Sequence, residues 1–360
     1  MMCIILGTRP EIIKMSPVIR YCEKNSVKYF VIHTGQHYNY NMDKLFFDEL
    51  KLPPPKYNLN IGSGLHGKQT GLMLEKIEKI LILEKPDIVL VEGDTNTVLA
   101  GALTATKLYI KVGHIEAGLR SYSREMPEEI NRVLTDHLSD FLFAPTEKSK
   151  SNALKEGISE DKIIVVGNTI VDAVNQNLEL SIKKGLILEK LGLKKRGYFL
   201  VTAHRQENVD HKHKLKNIIR GLEVVYDKLR LPIIYPIHPR TKKMLNGFKI
   251  KRFKGLHLIE PVGFLEFLQL EANAKLVLTD SGGVQEECCV LRVPCVTLRE
   301  NTERPETLEV GANMLVGTNS KEIAKGVEKM INSERNWENP FGDGKSAEKI
   351  IKFLINKNVL

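Results

Sequence analysis

Apolar residues follow two alternating rhythms along this chain. Short β-branched runs bounded by Gly, Pro, Asp or Asn predict strands. Longer stretches with apolar residues three or four positions apart predict amphipathic helices. Residues 2–6 read as a strand, and 10–22 as a helix with Pro in its first turn, where a missing N–H is harmless. Residues 29–33 form a second strand, and about 69–83 a long helix. Strands at 87–91, 110–115, 141–143 and 163–166 complete a first set, with a helix at about 95–107. A second set of strands falls at 198–202, 233–237, 256–259, 276–279, 295–298 and 313–316, with helical patterns between most of them.

Strand–helix alternation of this kind predicts parallel sheets covered on both faces. Two sets predict an α/β protein of two doubly wound, Rossmann-like domains facing a cleft, at 1–174 and 175–345. The Leu- and Lys-rich stretch 175–196 is weakly patterned and reads as the hinge between them. In such sheets ligands bind beyond the carboxyl ends of the strands, so residues at those positions carry the functional reading.

A length of 360 residues fits two domains. The formal charge of +9 favours anionic partners such as phosphate-bearing metabolites, nucleic acid or acidic surfaces. Five Cys without CxxC spacing argue against a disulfide scaffold and a Cys-based zinc site. No apolar run has the length of a membrane span, and the run at 3–6 is too short for a signal-peptide core. The expectation is a cytoplasmic protein with no membrane partner. The basic run KIKRFK has no nucleic-acid motif around it and reads as a solvated turn, so no nucleic-acid partner is expected. The HKHK run lacks supporting carboxylates or Cys, so no metal is expected there either.

Residues 62–67, GSGLHG, match GxGxxG. The preceding PPPKYNLNI is a poor strand, and the next acidic candidate, Asp87, opens a strand where the ribose-binding acid should end one. A surface loop is the better reading, and no dinucleotide cofactor is expected.

Ser281, Gly282 and Gly283 follow the strand at 276–279 and open a helix. Two glycines permit close backbone approach, and a helix N-terminus offers free N–H groups to phosphate. The local alternative is a tight turn capped by Ser281. Arg9 in GTRPE and Arg304 in NTERPET are further candidate phosphate ligands. Asp94 in GDTNT and Glu116 in HIEAG stand just past adjacent strands, so their carboxylates would point the same way. For Asp94 the alternative role is an N-cap. Ala117 and Gly118 leave Glu116 little local work. Glu128 in MPEEINR reads, on spacing alone, as first-turn charge complementing the helix dipole. His204 ends a strand in TAHRQEN and is either an acid–base or phosphate contact, or a satisfied buried His.

The ordered set GTRPEIIKMSPVI, TGQHY, GDTNTVLAGALTA, GHIEAGLRS, MPEEINR, FAPT, GNTIVDA, TAHRQEN, TDSGGVQEE and RENTERPET resembles the non-hydrolysing UDP-N-acetylglucosamine 2-epimerases, from Gly7 to Gly317. The resemblance implies a fold like the two-domain GT-B glycosyltransferases and a cytoplasmic homodimer serving polysaccharide biosynthesis. It also implies that the C-terminal helix, about 346–355, returns to the first domain. The activity it implies is interconversion of UDP-GlcNAc and UDP-ManNAc with neither nicotinamide cofactor nor metal.

Carried over by motif, Asp94, Glu116, Glu128 and His204 match catalytic positions. Arg9, Lys14, Phe267, Ser281, Gly282, Gly283, Glu287 and Arg304 match positions that hold the substrate, mostly its UDP part. Val262 departs from a Gln of some bacterial members. Many bacterial members bind a second UDP-GlcNAc as activator. Gln36, His37 and Gln69 fit that site, and Lys68 stands where relatives use Arg. Lys keeps the charge but lacks the bidentate fork, which leaves activation open.

Inverting C2 means breaking a C–H bond that no carbonyl acidifies. Loss of UDP from C1 makes the proton acidic. The implied route is anti elimination to a 2-acetamidoglucal and syn re-addition of UDP, with a proton delivered to the opposite face of C2. The neighbouring readings are a 2-epimerase for a modified sugar such as a diacetamido uronic acid, a hydrolysing 2-epimerase, and a GT-B glycosyltransferase.

Overall fold

A computed structural model describes residues 1–36, 46–185, 187–251 and 253–360. The chain forms two compact units: Met1–Gln176 with Phe341–Leu360, and Asn177–Pro340. The boundary falls inside the helix Thr169–Lys184.

The first unit is built on seven strands: β1 (Met2–Leu6), β2 (Tyr29–His33), β3 (Tyr57–Asn58), β4 (Ile88–Glu92), β5 (Lys111–Ile115), β6 (Phe141–Ala144) and β7 (Ile163–Val165). Their order in the sheet is β3-β2-β1-β4-β5-β6-β7, and every pairing is parallel. The order reverses between β1 and β4. Crevices at such reversals are where doubly wound sheets bind ligands. The second unit repeats the plan with β8 (Phe199–Thr202), β9 (Ile233–Pro236), β10 (Leu256–Ile259), β11 (Leu276–Thr279), β12 (Cys295–Thr297) and β13 (Asn313–Leu315). Their order is β10-β9-β8-β11-β12-β13, so its reversal lies between β8 and β11.

Alternation along the central strands shows why both faces of the second sheet are covered. Phe199 and Val201 pack into one buried cluster with Leu222 and Val327. Tyr198 and Leu200 point the other way, into a cluster with Leu270 and Cys288. A strand buried on both faces reads as a near-continuous apolar run, and β8 is FLVT. Truncating such a side chain, as in Leu200→Ala, costs about 2–5 kcal/mol.

Two sequence readings need correction. The segment read as a poor strand contains β3, a two-residue edge strand that pairs Tyr57 with Ile32 and Asn58 with His33. Pro53, Pro54 and Pro55 keep it short, because proline cannot donate to a ladder. The stretch 175–196 is largely helical: Thr169–Lys184 runs into it and Ile187–Lys190 follows. Its Leu, Glu and Lys residues have high helix propensity, which outweighs the weak apolar pattern.

The C-terminal helix, Ser346–Asn356, belongs to the first unit. Asp172 accepts hydrogen bonds from the N–H groups of Ser346 and Ala347 at 3.2 and 3.1 Å. Those donors would otherwise be orphaned at the helix start. Phe353 packs edge-on against Phe141 and Phe143, with ring centroids 5.5 and 5.8 Å away.

Candidate active site

In the first unit, the candidate residues gather at the carboxyl ends of β1, β4 and β5. The helix Arg9–Lys24 follows β1 and places Arg9 in its first turn and Lys14 one turn further on. Glu11 is buried, and its carboxylate accepts from the N–H groups of Gly7 and Thr8 and from Thr95 Oγ1. Burial pushes the Glu11 carboxyl up to about 7 against the pull of those bonds. Gly7 admits no side chain, because a Cβ there would lie 2.0 Å from Thr34 Oγ1.

Glu116 follows β5 in the left-handed region, at φ +69°. A non-glycine residue there stores about 1–2 kcal/mol of strain. Its N–H is held by Phe143 O at 3.1 Å, and its buried carboxylate pairs with Lys14. Gly118, at φ +80°, must be glycine, since a Cβ would lie 2.2 Å from Ser149 O. Lys14 also stands 3.6 Å from Glu92, the last residue of β4. Burial drives the Glu92 carboxyl well above its ordinary range. Lys14 only partly offsets this, and the neighbouring Glu116 adds to it.

Asp94 lies in the loop after β4, where its carboxylate takes Arg132 Nε and Nη2 at 3.0 and 2.6 Å. It does not cap the following helix. Thr95 does, accepting from Thr97 N at 3.2 Å, which leaves Asp94 free of the local role considered for it. Glu128 is exposed in the first turn of the helix Pro127–Leu138. Asp94, Glu128, Gln36 and Gln69 line one pocket of about 230 Å³, together with Ser63 and His66 from the GSGLHG segment. Gln36 Oε1 accepts from Thr97 N and Oγ1 at 3.2 and 2.8 Å. Gln69 Nε2 donates to Gln36 O and Gly62 O at 3.1 and 2.8 Å. Both glutamines therefore build the pocket floor. Lys68 is exposed on the helix His66–Glu84, and His37 lies outside the described residues.

A buried network under these loops was not singled out from sequence. His114 on β5 bonds Asp136 Oδ1 at 2.7 Å through Nδ1 and Gly93 O at 2.8 Å through Nε2. Asp136 Oδ2 accepts from Gly118 N at 3.1 Å and pairs with Arg120. Burial opposes the Asp136 charge, yet His114 and Arg120 hold its carboxyl below the usual range. The loops carrying Asp94 and Glu116 are thus tied to one carboxylate. Arg132 and Asn131 were also missed, although MPEEINR contains them. Asn131 Nδ2 donates to Asp94 O at 2.9 Å. The signal for Glu92 was present too: an acidic residue closing an otherwise apolar strand.

In the second unit, the loops after β8 and β11 flank its strand-order reversal. Asp280 accepts from His204 N at 3.0 Å and Arg205 N at 3.0 Å, joining the two loops. His204 itself is half-exposed, with Nδ1 3.5 Å from Asp280 Oδ1, so it is not the satisfied buried His considered as its alternative. Ser281 occupies the N-cap of the helix Gly282–Val290, but its side chain makes no cap hydrogen bond. A Cβ at Gly283 would meet nothing within 4 Å, and one at Gly282 only Glu303 Oε2 at 4.0 Å. Neither glycine is demanded by packing within the chain.

Arg304 Nε pairs with buried Glu286 at 2.5 Å, and Arg299 Nη1 bonds Glu303 at 2.7 Å. Burial acts to raise the Glu303 carboxyl, but Arg299, Arg304 and Arg205 outweigh it and hold it at about 2. Glu287 is buried beside Glu271, whose carboxyl is driven well above its ordinary range by burial and by that neighbour. Phe267 and Val262 are half-buried against the apolar cluster that holds Leu270. Among the described residues, no group of three or more His, Cys, Asp or Glu is arranged to hold a metal ion. No described helix is long and apolar enough to cross a membrane.

Two doubly wound parallel sheets, each with polar side chains gathered at its strand-order reversal, define an α/β protein of the GT-B-like architecture. Residues 20–355 match the family model for UDP-N-acetylglucosamine 2-epimerase. The chain is 62% identical to the UDP-N-acetylglucosamine 2-epimerase of Methanocaldococcus jannaschii, covering 98% of both chains. It is 59% identical to the enzyme of the same name from Methanococcus maripaludis, again over 98% of each. The crystal structure of the M. jannaschii UDP-GlcNAc 2-epimerase in complex with UDP-GlcNAc and UDP superposes with a TM-score of 0.90, at 61% identity over 99% of both chains. The protein therefore belongs to the UDP-N-acetylglucosamine 2-epimerase family, and is an isomerase.

Proposed function

We propose that this enzyme interconverts UDP-GlcNAc and UDP-ManNAc by eliminating and re-adding UDP. The observation that carries this reading is the gathering of Asp94 and Glu116 at neighbouring strand ends, each held by a buried cation, Arg132 for one and Lys14 for the other. The bound UDP-GlcNAc and UDP of the M. jannaschii relative support the substrate.

Departure of UDP from C1 gives that carbon oxocarbenium character and makes the C2 proton acidic. A carboxylate takes the proton, a 2-acetamidoglucal forms, and a second acid protonates the opposite face as UDP returns. Two carboxylates are needed because the proton leaves and arrives on different faces. Asp94, Glu116 and Glu128 are the acid–base set, and such groups are typically worth about 10²–10⁴ in rate. Ser281, Gly282, Gly283 and Arg304 hold the diphosphate, with His204 as a further contact. Uncapped helix N–H groups and a guanidinium stabilise the charge that develops on the leaving group. Glu287 suits ribose hydroxyls, and Arg9 and Phe267 complete the nucleotide contacts. The enzyme acts as a homodimer in the cytoplasm.

Supplying UDP-GlcNAc and the corresponding diacetamido uronic acid separately, with no added cofactor, tests the substrate. UDP-ManNAc from the first alone supports this reading; turnover of the second alone would reassign the enzyme to a modified sugar. A sigmoidal rate dependence on UDP-GlcNAc would indicate an activating second molecule at the Gln36–Gln69 pocket.

A further inference from the structure

Glu92 closes β4 and lies opposite Ile115 in the parallel register with β5. Glu116 is the following residue, both carboxyls are buried, and both approach the same ammonium. Lys14 Nζ pairs with Glu116 and stands 3.6 Å from Glu92 Oε1. That oxygen receives no hydrogen bond from any described group.

Two carboxyl groups thus meet one ammonium away from water. Were both ionised, two like charges would sit side by side in a low dielectric, with one cation to offset them. Other ionisable groups face the same point. Glu11, on the helix that carries Lys14, acts in the same sense as Glu116. Asp94 follows two residues along the chain, paired with Arg132. His114 on β5 is engaged by Asp136 and Gly93. From β1, Cys3 is the ionisable residue, and it pairs with Val89, well below Glu92. Lys14 is thus a cation in contact with both carboxyls.

We propose that Glu92 and Glu116 hold a single proton between them, which makes Glu92 a positioning residue that sets the protonation state Glu116 presents to the sugar. This rests on the reading above that Glu116 exchanges a proton with C2. Shared carboxyl protons of this kind belong to the pair and come off in two separated steps. The arrangement fits a reversible reaction. When Glu116 acts as base, the C2–H bond breaks and its proton passes to a Glu116 oxygen. The C–H electron pair enters the C1=C2 bond as UDP leaves with the C1–O pair, and the carboxyl pair then holds two protons. In the opposite direction an acid–base group on the other face removes the C2 proton of the other epimer as UDP leaves, and the shared proton passes from Glu116 to C2 as the C1=C2 electrons form the new C–H bond and UDP re-forms the C1–O bond. One resting state, with a single shared proton, can therefore either accept or donate a proton, and exchange with solvent restores it between turnovers.

The test is Glu92→Gln in the full-length enzyme, since an amide can still donate to Glu116. The expected result is a fall in kcat of about 10- to 100-fold, a shift of more than about one pH unit in one limb of the kcat profile, and a KM changed less than about threefold. Glu92→Asp keeps a shareable proton and should restore the wild-type profile at reduced rate. Infrared spectroscopy at about pH 8, where a carboxyl near 7 is largely ionised, reads the same proton without substrate. One protonated-carboxyl band present in the wild type should be missing from Glu92→Gln. Should that variant fail to fold, Glu92→Asp with ¹³C-labelled Asp carboxyls should show a protonated band that shifts with the label. Unchanged pH limbs in Glu92→Gln, unchanged bands, or no label-sensitive band would overturn the proposal. A wild-type enzyme that leaves UDP-GlcNAc untouched would defeat the substrate reading, while the infrared result would still decide the shared proton.

Discussion

Each unit of this enzyme buries two carboxyl groups side by side, and the company they keep differs. In the first unit, Glu92 and Glu116 have Lys14 with them. In the second, Glu271 and Glu287 have Cys288, whose Sγ–H donates to Glu271 Oε1 at 3.2 Å. A buried ammonium keeps negative charge affordable beside it, so a proton there can move. A thiol brings no positive charge, and burial and the neighbouring Glu287 hold the Glu271 carboxyl well above its ordinary range. The same contrast extends outward. Around β1, β4 and β5 the acids outnumber the bases: Glu11, Glu92, Asp94 and Glu116 face Lys14 and Arg132. Beyond β8, β11 and β12, Arg205, Arg299 and Arg304 gather on Glu303 and Glu286. One fold has been charged in two ways, which fits the proposed proton transfer in one unit and the proposed anion binding in the other.

The sharpest way to break this contrast is to remove a reacting carboxylate. Glu116→Gln should lower epimerisation by about 10²–10⁴-fold with UDP affinity nearly unchanged. NMR of UDP-GlcNAc turnover and calorimetry with UDP read the two effects. Near-normal turnover would remove Glu116 from the acid–base set.

Glu303→Gln strikes the other side. It takes from buried Arg299 its nearest carboxylate, which should cost about 3–5 kcal/mol of stability at neutral pH, measured by denaturant unfolding. Glu303 is held at about 2 when folded, against about 4.3 when unfolded. Its contribution is therefore fully present above the unfolded value and is lost as pH falls from about 4.3 through about 2. Glu303→Gln should flatten the acid dependence of stability in that window; an unchanged dependence would contradict the assignment.

Lys14→Met makes the first pair resemble the second by removing its cation. The carboxyls should then keep their protons to higher pH, and kcat should fall about 10- to 100-fold at neutral pH, with partial recovery as pH rises. A pH profile identical to wild type would show that Lys14 does not set the pair's charge. The smallest effect belongs to Glu271→Gln. The amide can donate to Glu287 and accept from Cys288, so stability and UDP affinity should change by less than about 1 kcal/mol.

Much of this was legible in the sequence, because doubly buried strands leave continuous apolar runs and the site residues stand at their ends. Asp94, Glu116, His204 and Ser281 were singled out by that rule, and the structure places each just past a strand end. What sequence could not rank was the supporting layer. His114, Asp136, Arg132 and Glu92 lie on strands and helices, where a polar residue reads equally well as solvent-facing until the register is known. β3 escaped because two residues carry no periodicity, and the helix over 169–184 because Asn175, Gln176, Asn177 and Glu179 interrupt its apolar pattern. Glu128 shows the reverse case: its first-turn position has an ordinary electrostatic explanation, and the motif resemblance and the pocket it shares with Asp94 give it another.

The central claim, proton exchange at C2 by side chains alone, is tested most directly by proton NMR of UDP-GlcNAc with the purified enzyme in D₂O and no added cofactor. The account predicts growth of UDP-ManNAc signals with deuterium entering C2 of the nucleotide sugars. UDP-ManNAc formed with C2 still fully protonated, or formed only when a nicotinamide cofactor is supplied, would contradict it.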